Sequence, residues 1–372
     1  MYTSWFLILT YLILILVCTK SASYNPVGRT EFGSGLVSNK VYYYGGYDHG
    51  DKRYNDFFYI DLTKPFSSSS PQYQFMKNFD NYYRNGAATI SHSNQLFMFG
   101  GDFVIGAEMN TPLFRLCIIQ SLSTNPEIVP VPDTPSTPSS RKWHTSVIDH
   151  MNKKIYVWGG ITVTGLSMDY SFLNFTKNNE TMYDRIMYIF DITQSVWTSN
   201  PTQNPPIGRC LHTATFVPDG RIIMIGGATN SDVGKTAKKN GFIPSIIHHS
   251  ATLLPDNKSI IIYGGSNESG YSGLAILNLS SYAWTVISPT GNAPPIISSG
   301  HEATLYFDVI IFSFGEYFLS NNTRHLIHPA IRLLNISNGQ YRWVDSYTPP
   351  PIATQSLNSN NSNKIIIIGF LI

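Results

Sequence analysis

The sequence predicts an all-β fold, a propeller of repeated four-stranded units, and three observations carry that expectation. Charged residues make up only 13% of the chain and aromatics another 13%, led by 23 Tyr and 21 Phe, side chains that favour pleated sheets over helices. A short apolar run ending in glycine recurs along the chain at a spacing of roughly 50 residues, a period typical of ring-shaped repeat folds. Small-residue segments precede these runs, and in four units a second apolar run follows and closes on a polar turn.

The apolar runs come first. They read Val41-Tyr42-Tyr43-Tyr44-Gly45-Gly46, Leu96-Phe97-Met98-Phe99-Gly100-Gly101, Ile155-Tyr156-Val157-Trp158-Gly159-Gly160, Ile222-Ile223-Met224-Ile225-Gly226-Gly227 and Ile260-Ile261-Ile262-Tyr263-Gly264-Gly265. Two more end on one glycine, Phe312-Ser313-Phe314-Gly315-Glu316 and Ile366-Ile367-Ile368-Gly369-Phe370, so the first glycine of the pair is expected to be the invariant one. A run without alternation suits a strand buried on both faces between neighbouring units. The glycines end it, because they adopt backbone angles that a Cβ forbids and allow close approach.

Upstream lies the innermost strand, where crowding near the ring axis selects small residues. It begins at Arg141-x-x-His144-Thr145-Ser146 and Arg209-x-x-His212-Thr213-Ala214, with weaker copies at His249-Ser250-Ala251-Thr252, His301-Glu302-Ala303-Thr304 and Gly86-Ala87-Ala88-Thr89 behind Arg84. Downstream lie the third strands, Phe58-Tyr59-Ile60-Asp61, Tyr188-Ile189-Phe190-Asp191, Ile276-Leu277-Asn278 and Leu333-Leu334-Asn335. Trp197, Trp284 and Trp343 follow, positioned to pack between units, and proline clusters such as Pro205-Pro206 stiffen the crossover to the next unit.

This combination of a Gly-Gly pair after four apolar residues, a later aromatic strand and a spaced tryptophan resembles the kelch repeat, and the resemblance covers Arg29 to Ile372. It implies a kelch-type β-propeller of six to seven four-stranded blades. Few residues separate Gly227 from the next inner strand at His249, so the fourth blade is expected to be incomplete, as is the last.

The N-terminal segment differs from the rest. Trp5 to Val17 is apolar apart from Thr10 and Tyr11 and ends near Ser21-Ala22-Ser23, a pattern that suits a signal peptide better than a membrane span of roughly 20 residues. Residues 1–23 are therefore read as a signal and 24–372 as the propeller, which makes the protein secreted. The membrane would be a partner only if this segment stayed uncleaved as an anchor. Cys117 and Cys210 remain in the mature chain, and their repeat positions argue against a mutual disulfide. A net charge of +2 gives no basis for counterion-driven nucleic-acid binding.

The aligned histidines His144, His212, His249 and His301 invite a metal site. Equivalent positions on successive blades lie around a ring, however, whereas one ion needs ligands within about 2 Å. They are expected to cap the inner strands by hydrogen bonding. Galactose-oxidase-like copper-radical enzymes also use kelch-type propellers, which gives an oxidoreductase as the alternative function. That family's adjacent Tyr-His ligand pair is missing from this sequence. No catalytic residue, metal ligand or cofactor is assigned.

The leading expectation is a non-catalytic scaffold that binds an unknown protein or glycan through loops on one face. The long insertion from Ile161 to Asp184, with Met168, Tyr170, Phe172 and Phe175, is the candidate binding loop. Among the Asn-x-Ser/Thr sequons, Asn278 and Asn335 fall in the polar turn that Asp61 and Asp191 occupy elsewhere, which makes them the glycosylation candidates.

Overall fold

A computed structural model describes residues 24–350, apart from 49–51, 80, 85–87, 106–115, 121, 123–124, 163–184, 201–204, 230–245, 267–272, 293–298, 319–323 and 327–330. Six antiparallel sheets, the blades of a propeller, follow one another along the chain. Blade I comprises Gly33–Val37, Lys40–Tyr44, Asp56–Asp61 and Tyr73–Asn78. Blade II comprises Ala88–His92, Gln95–Phe99, Leu116–Gln120 and Glu127–Pro130. Blade III comprises Arg141–Asp149, Lys154–Thr162, Met187–Asp191 and Val196–Asn200.

Blade IV has two described strands, Cys210–Phe216 and Ile222–Ala228, in line with the short interval in the sequence. Blade V comprises Ser250–Leu253, Ser259–Tyr263, Leu274–Asn278 and Trp284–Ile287. Blade VI comprises Glu302–Tyr306, Val309–Ser313, Ile331–Asn335 and Arg342–Val344, with Thr290–Gly291 added in parallel at its outer edge. Among the described residues the sole helical element is a single 3-10 turn, Ser337–Gly339.

The apolar runs are the second strands, and they are buried because each lies between two neighbouring blades. In blade I the even and odd side chains part company: Val41 and Tyr43 join a core with Ile311 and Leu333 of blade VI, while Tyr42 and Tyr44 join one with Met98 and Cys117 of blade II. Trp197 closes the core between blades II and III against Phe99, and Trp343 does the same between V and VI against Tyr263. Burial of such apolar side chains is the main force holding one blade to the next. The cluster between blades III and IV is the exception, made of Trp143, Ile161, Cys210 and Ala228 near one end of the strands.

The ring closes between blades VI and I. The Gly315 amide donates to the Arg29 carbonyl at 3.0 Å, the Thr30 hydroxyl to the Gly300 carbonyl at 3.2 Å, and the Tyr43 and Ser313 hydroxyls meet at 2.8 Å. Closure is thus reached with six sheets. The seventh apolar run, ending at Gly369, lies outside the described residues, as do the signal segment 1–23 and the end of the chain after Pro350.

Strand register corrects one expectation. Glu302 pairs with Ser313 in blade VI as Gly33 pairs with Tyr44 in blade I. Gly315 therefore occupies the place of Gly46, the second glycine of the pair, and Phe314 stands at the first. The invariant member among the described blades is the second glycine. A Cβ there would lie 2.8 Å from the Thr30 carbonyl at Gly46 and 2.8 Å from the Ser299 carbonyl at Gly315, with φ at +86° and +94°. Facing it, the residue before each aligned histidine, or before Phe32 in blade I, is itself left-handed. Glu31, Trp143, Leu211 and His248 have φ of 52°, 57°, 58° and 56°, an uncommon state for residues with a Cβ.

Candidate functional site

The four histidines sit at the start of the inner strands and are buried. Their role is to tie blades together, which goes further than the strand-capping expected. His212 Nε2 meets the Thr145 hydroxyl of blade III at 2.9 Å, His249 Nε2 the Thr213 hydroxyl of blade IV at 2.9 Å, and His301 Nε2 the Ser250 hydroxyl of blade V at 2.8 Å. In each case the acceptor or donor hydroxyl is the residue following the previous blade's own histidine. Blade II has Ala88, which carries no hydroxyl, at that position. Burial draws the His144 and His249 imidazoles down to about 3, helped by Arg141 and His248 respectively, and holds His212 well below its usual value. All three are therefore neutral near pH 7.

The same rings explain the first glycines. A Cβ on Gly100, Gly159 or Gly226 would lie 2.6, 2.8 or 2.7 Å from the imidazole of the following blade. At the closing seam both partners change together. Phe32 replaces the histidine and Phe314 the glycine, and the two rings meet edge to face at 5.1 Å.

An arginine two residues before the left-handed position clasps three blades. Arg29, Arg141 and Arg209 donate from one terminal nitrogen to the carbonyls of Gly45, Gly159 and Gly226 at 2.8, 3.2 and 3.0 Å. Each also donates from Nε to the carbonyl two residues upstream. What covers the guanidinium comes from the third strand. In blade I it is Asp56, bound in bidentate fashion at 2.7 and 2.8 Å and also reached by the Tyr24 hydroxyl. In blade III it is the Tyr188 ring, 4.7 Å from the guanidinium carbon. Blade IV has no third strand among the described residues, and no carboxylate there pairs with Arg209.

A groove lies between blades III and IV. Trp158 and Met187 of blade III face Ile222 and Met224 of blade IV across a cavity of ≈ 410 Å³, with Pro206 and Arg209 at its rim. Arg185 fixes that rim by donating to the Pro205 and Pro206 carbonyls at 2.9 and 3.2 Å. Ile223 and Ile225, on the other side of the same strand, pack toward blade V. Arg209 places one cation at the edge of this apolar groove.

The other sequence-derived candidates fall elsewhere. Met168, Tyr170, Phe172 and Phe175 lie outside the described residues. Asn278 is exposed and its Oδ1 accepts from the Ser280 and Ser281 amides at 2.9 Å, while Asn335 is half-buried and accepts from the Ser337 amide at 3.0 Å. Both thus shape the turn as Asp61 and Asp191 do. Gly45, Gly46, Gly100, Gly101, Gly159, Gly160, Gly226, Gly227, Gly264, Gly265 and Gly315 have left-handed conformations, the pairs in blades III and IV within the second strand and the others just past its end, and Gly369 is outside the described residues. Cys117 and Cys210 are buried free thiols. No three His, Cys, Asp or Glu side chains converge in metal-binding fashion among the described residues. The groove at Arg209 was not anticipated; the available signal was the Arg-x-x-His motif preceding the one unit with no apolar third run.

No protein-family model matches the chain. Over 227 residues, 57% of its length, it is 25% identical to the leucine-zipper-like transcriptional regulator 1 homolog of Drosophila melanogaster, of which it spans only 20%. The solved structure of YjhT superimposes with a TM-score of 0.58 at 12% identity, covering 86% of this chain and 98% of that one. That likeness shows the fold alone. Six consecutive antiparallel sheets that close on themselves, together with this superposition, make the chain a β-propeller.

Proposed function

We propose that this chain is a secreted, kelch-type propeller that serves as a non-catalytic scaffold for a protein or glycan partner. The observation that carries this reading is how the buried polar groups are used. The histidines and hydroxyls near the ring axis bond one blade to another, and an apolar groove with a cation at its rim lies between blades III and IV. Such a surface suits docking. The repeat motif and the partial likeness to the Drosophila regulator favour the kelch assignment. The signal-like segment favours secretion.

Expression in a secretory host tests the whole reading. The mature chain should appear in the medium starting at Tyr24, carry a glycan that Asn278→Gln removes, and capture a partner on affinity resin. Retention in cells with Met1 intact would sink the secreted assignment. Stoichiometric copper with a tyrosyl-radical signal would replace the scaffold with an oxidase. Equal partner recovery by a chain lacking Ile161 to Asp184 would remove that loop as the binding element.

A further inference from the structure

We infer that His92 and His150 form a two-histidine binding site for a divalent transition-metal ion at the seam between blades II and III. The site goes beyond the scaffold reading and does not depend on it.

The two rings come from consecutive inner hairpins. His92 is the last residue of the inner strand of blade II and pairs with Gln95 across the turn. His150 follows Asp149, the last residue of the inner strand of blade III. Both side chains are half-buried. Their Nδ1 atoms lie 3.2 Å apart, with ring centroids 5.5 Å apart and ring planes inclined by 26°.

Each turn holds its histidine in place. In blade III the Asp149 carboxylate accepts from the Met151 and Asn152 amides at 3.0 Å and from the Asn152 side chain at 2.6 Å. In blade II the two turn residues Ser93 and Asn94 are both left-handed, with φ of 45° and 63°, the conformation that suits the twist of a tight antiparallel hairpin. The pair is thus presented by short, hydrogen-bonded turns, which favours a ligand set fixed before its ion arrives.

As a direct contact, the pair requires one Nδ1 to carry a proton and donate it to the other. The same separation suits chelation. With metal–nitrogen bonds of about 2.0–2.1 Å, two neighbouring ligands stand roughly 2.8–3.4 Å apart, from a square to a tetrahedral arrangement. In the direct contact the nitrogens face each other along the line between the rings. Each ring therefore turns about its terminal torsion, a soft one, to aim both lone pairs at an ion beside that line. The proton between the rings passes to the Nε2 position of its own imidazole, so none is released.

Charge and ligand chemistry narrow the ion. Desolvation, His150 and Lys153 hold His92 below its usual value, so its imidazole is neutral near pH 7 and able to bind. Imidazole nitrogen selects zinc, copper or nickel over calcium and magnesium, which take oxygen ligands. Two protein ligands leave the other coordination positions to water or to a side chain of a bound partner. Lys153 is the cation facing the pair, and its charge opposes the ion.

Isothermal titration of Zn2+ into the intact mature protein near neutral pH tests the site. One saturable site is expected. His92→Gln and His150→Gln should each weaken it by more than about tenfold. The double variant should bind no more weakly than either single one, because a chelate needs both rings. Lys153→Ala keeps both imidazoles and removes the opposing charge, so it should tighten binding, a result that misfolding would not produce. Zn2+ should also raise the urea midpoint of the unmodified protein, a shift lost in either histidine variant. Heat that never saturates overturns the inference, as does a site that survives both single substitutions, since the pair is then a hydrogen bond alone. Losses that add up in the double variant overturn it too, because the two rings would then act independently. None of these outcomes alters capture of a partner on resin, which tests the scaffold reading separately.

Discussion

Replacing Phe314 by glycine tests whether the ring is held shut by the aromatic exchange at the seam between blades VI and I. Phe314 is fully buried, and its ring meets Phe32 at 5.1 Å, Tyr43 at 5.6 Å, Tyr73 at 5.9 Å and Phe58 at 6.2 Å. Emptying such a site costs about 3–5 kcal/mol, cavity included. Against this, Phe314 sits at φ 53°, and glycine would relieve about 1–2 kcal/mol of left-handed strain. Glycine in turn adds about 0.5–1 kcal/mol of unfolded-state entropy. The balance is a loss of about 2–4 kcal/mol. Urea unfolding of Phe314→Gly, with the denaturant slope monitored for two-state behaviour, should show the midpoint falling accordingly. Phe307→Ala, an exposed aromatic on the adjacent hairpin, should change stability by less than about 0.5 kcal/mol. If Phe314→Gly proved as mild as that control, the seam would not be the closure described.

Other perturbations probe the remaining contacts. Asp56→Ala leaves the Arg29 guanidinium buried without its carboxylate and should cost about 3–5 kcal/mol in the same assay; an unchanged midpoint would mean that the pair is not formed. Acid should destabilise the ring through the belt of histidines, whose folded values lie far below the ordinary 6.5. Neutral imidazoles leave stability intact above that value. Below it the unfolded chain takes up protons that the folded chain refuses, at about 1.4 kcal/mol per pH unit for each histidine. His249→Gln should remove one proton from that slope between pH 6 and 5, and a slope unaltered by the substitution would show that His249 titrates normally. Cys117 and Cys210 should resist a thiol reagent in the folded protein and react fully in denaturant, with no disulfide by mass; fast labelling without denaturant would contradict their burial.

Much of the architecture was legible because its signals are local. A continuous apolar run such as Ile260 to Tyr263 can lie only between two blades. What escaped depended on register between distant strands. Gly315 follows an apolar residue and so reads as a first glycine; only its pairing partner in blade VI reveals Phe314 in that place. The exchange of His and Gly for Phe32 and Phe314 spans the two ends of the propeller, and no spacing rule connects them. The histidines were rightly expected to bond within the architecture, but their hydroxyl partners belong to the preceding blade, which no single repeat contains.

The central claim is that the blades close into a ring at the seam between blades VI and I. Amide hydrogen exchange measures it directly through Gly315, whose amide donates to the Arg29 carbonyl at 3.0 Å as the Gly160 and Gly227 amides donate to the Arg209 and Ile246 carbonyls at 2.9 Å. The Gly315 amide should be protected to the same degree as those of Gly160 and Gly227. Exchange of Gly315 at the rate of an unfolded chain, with Gly160 and Gly227 protected, would contradict it.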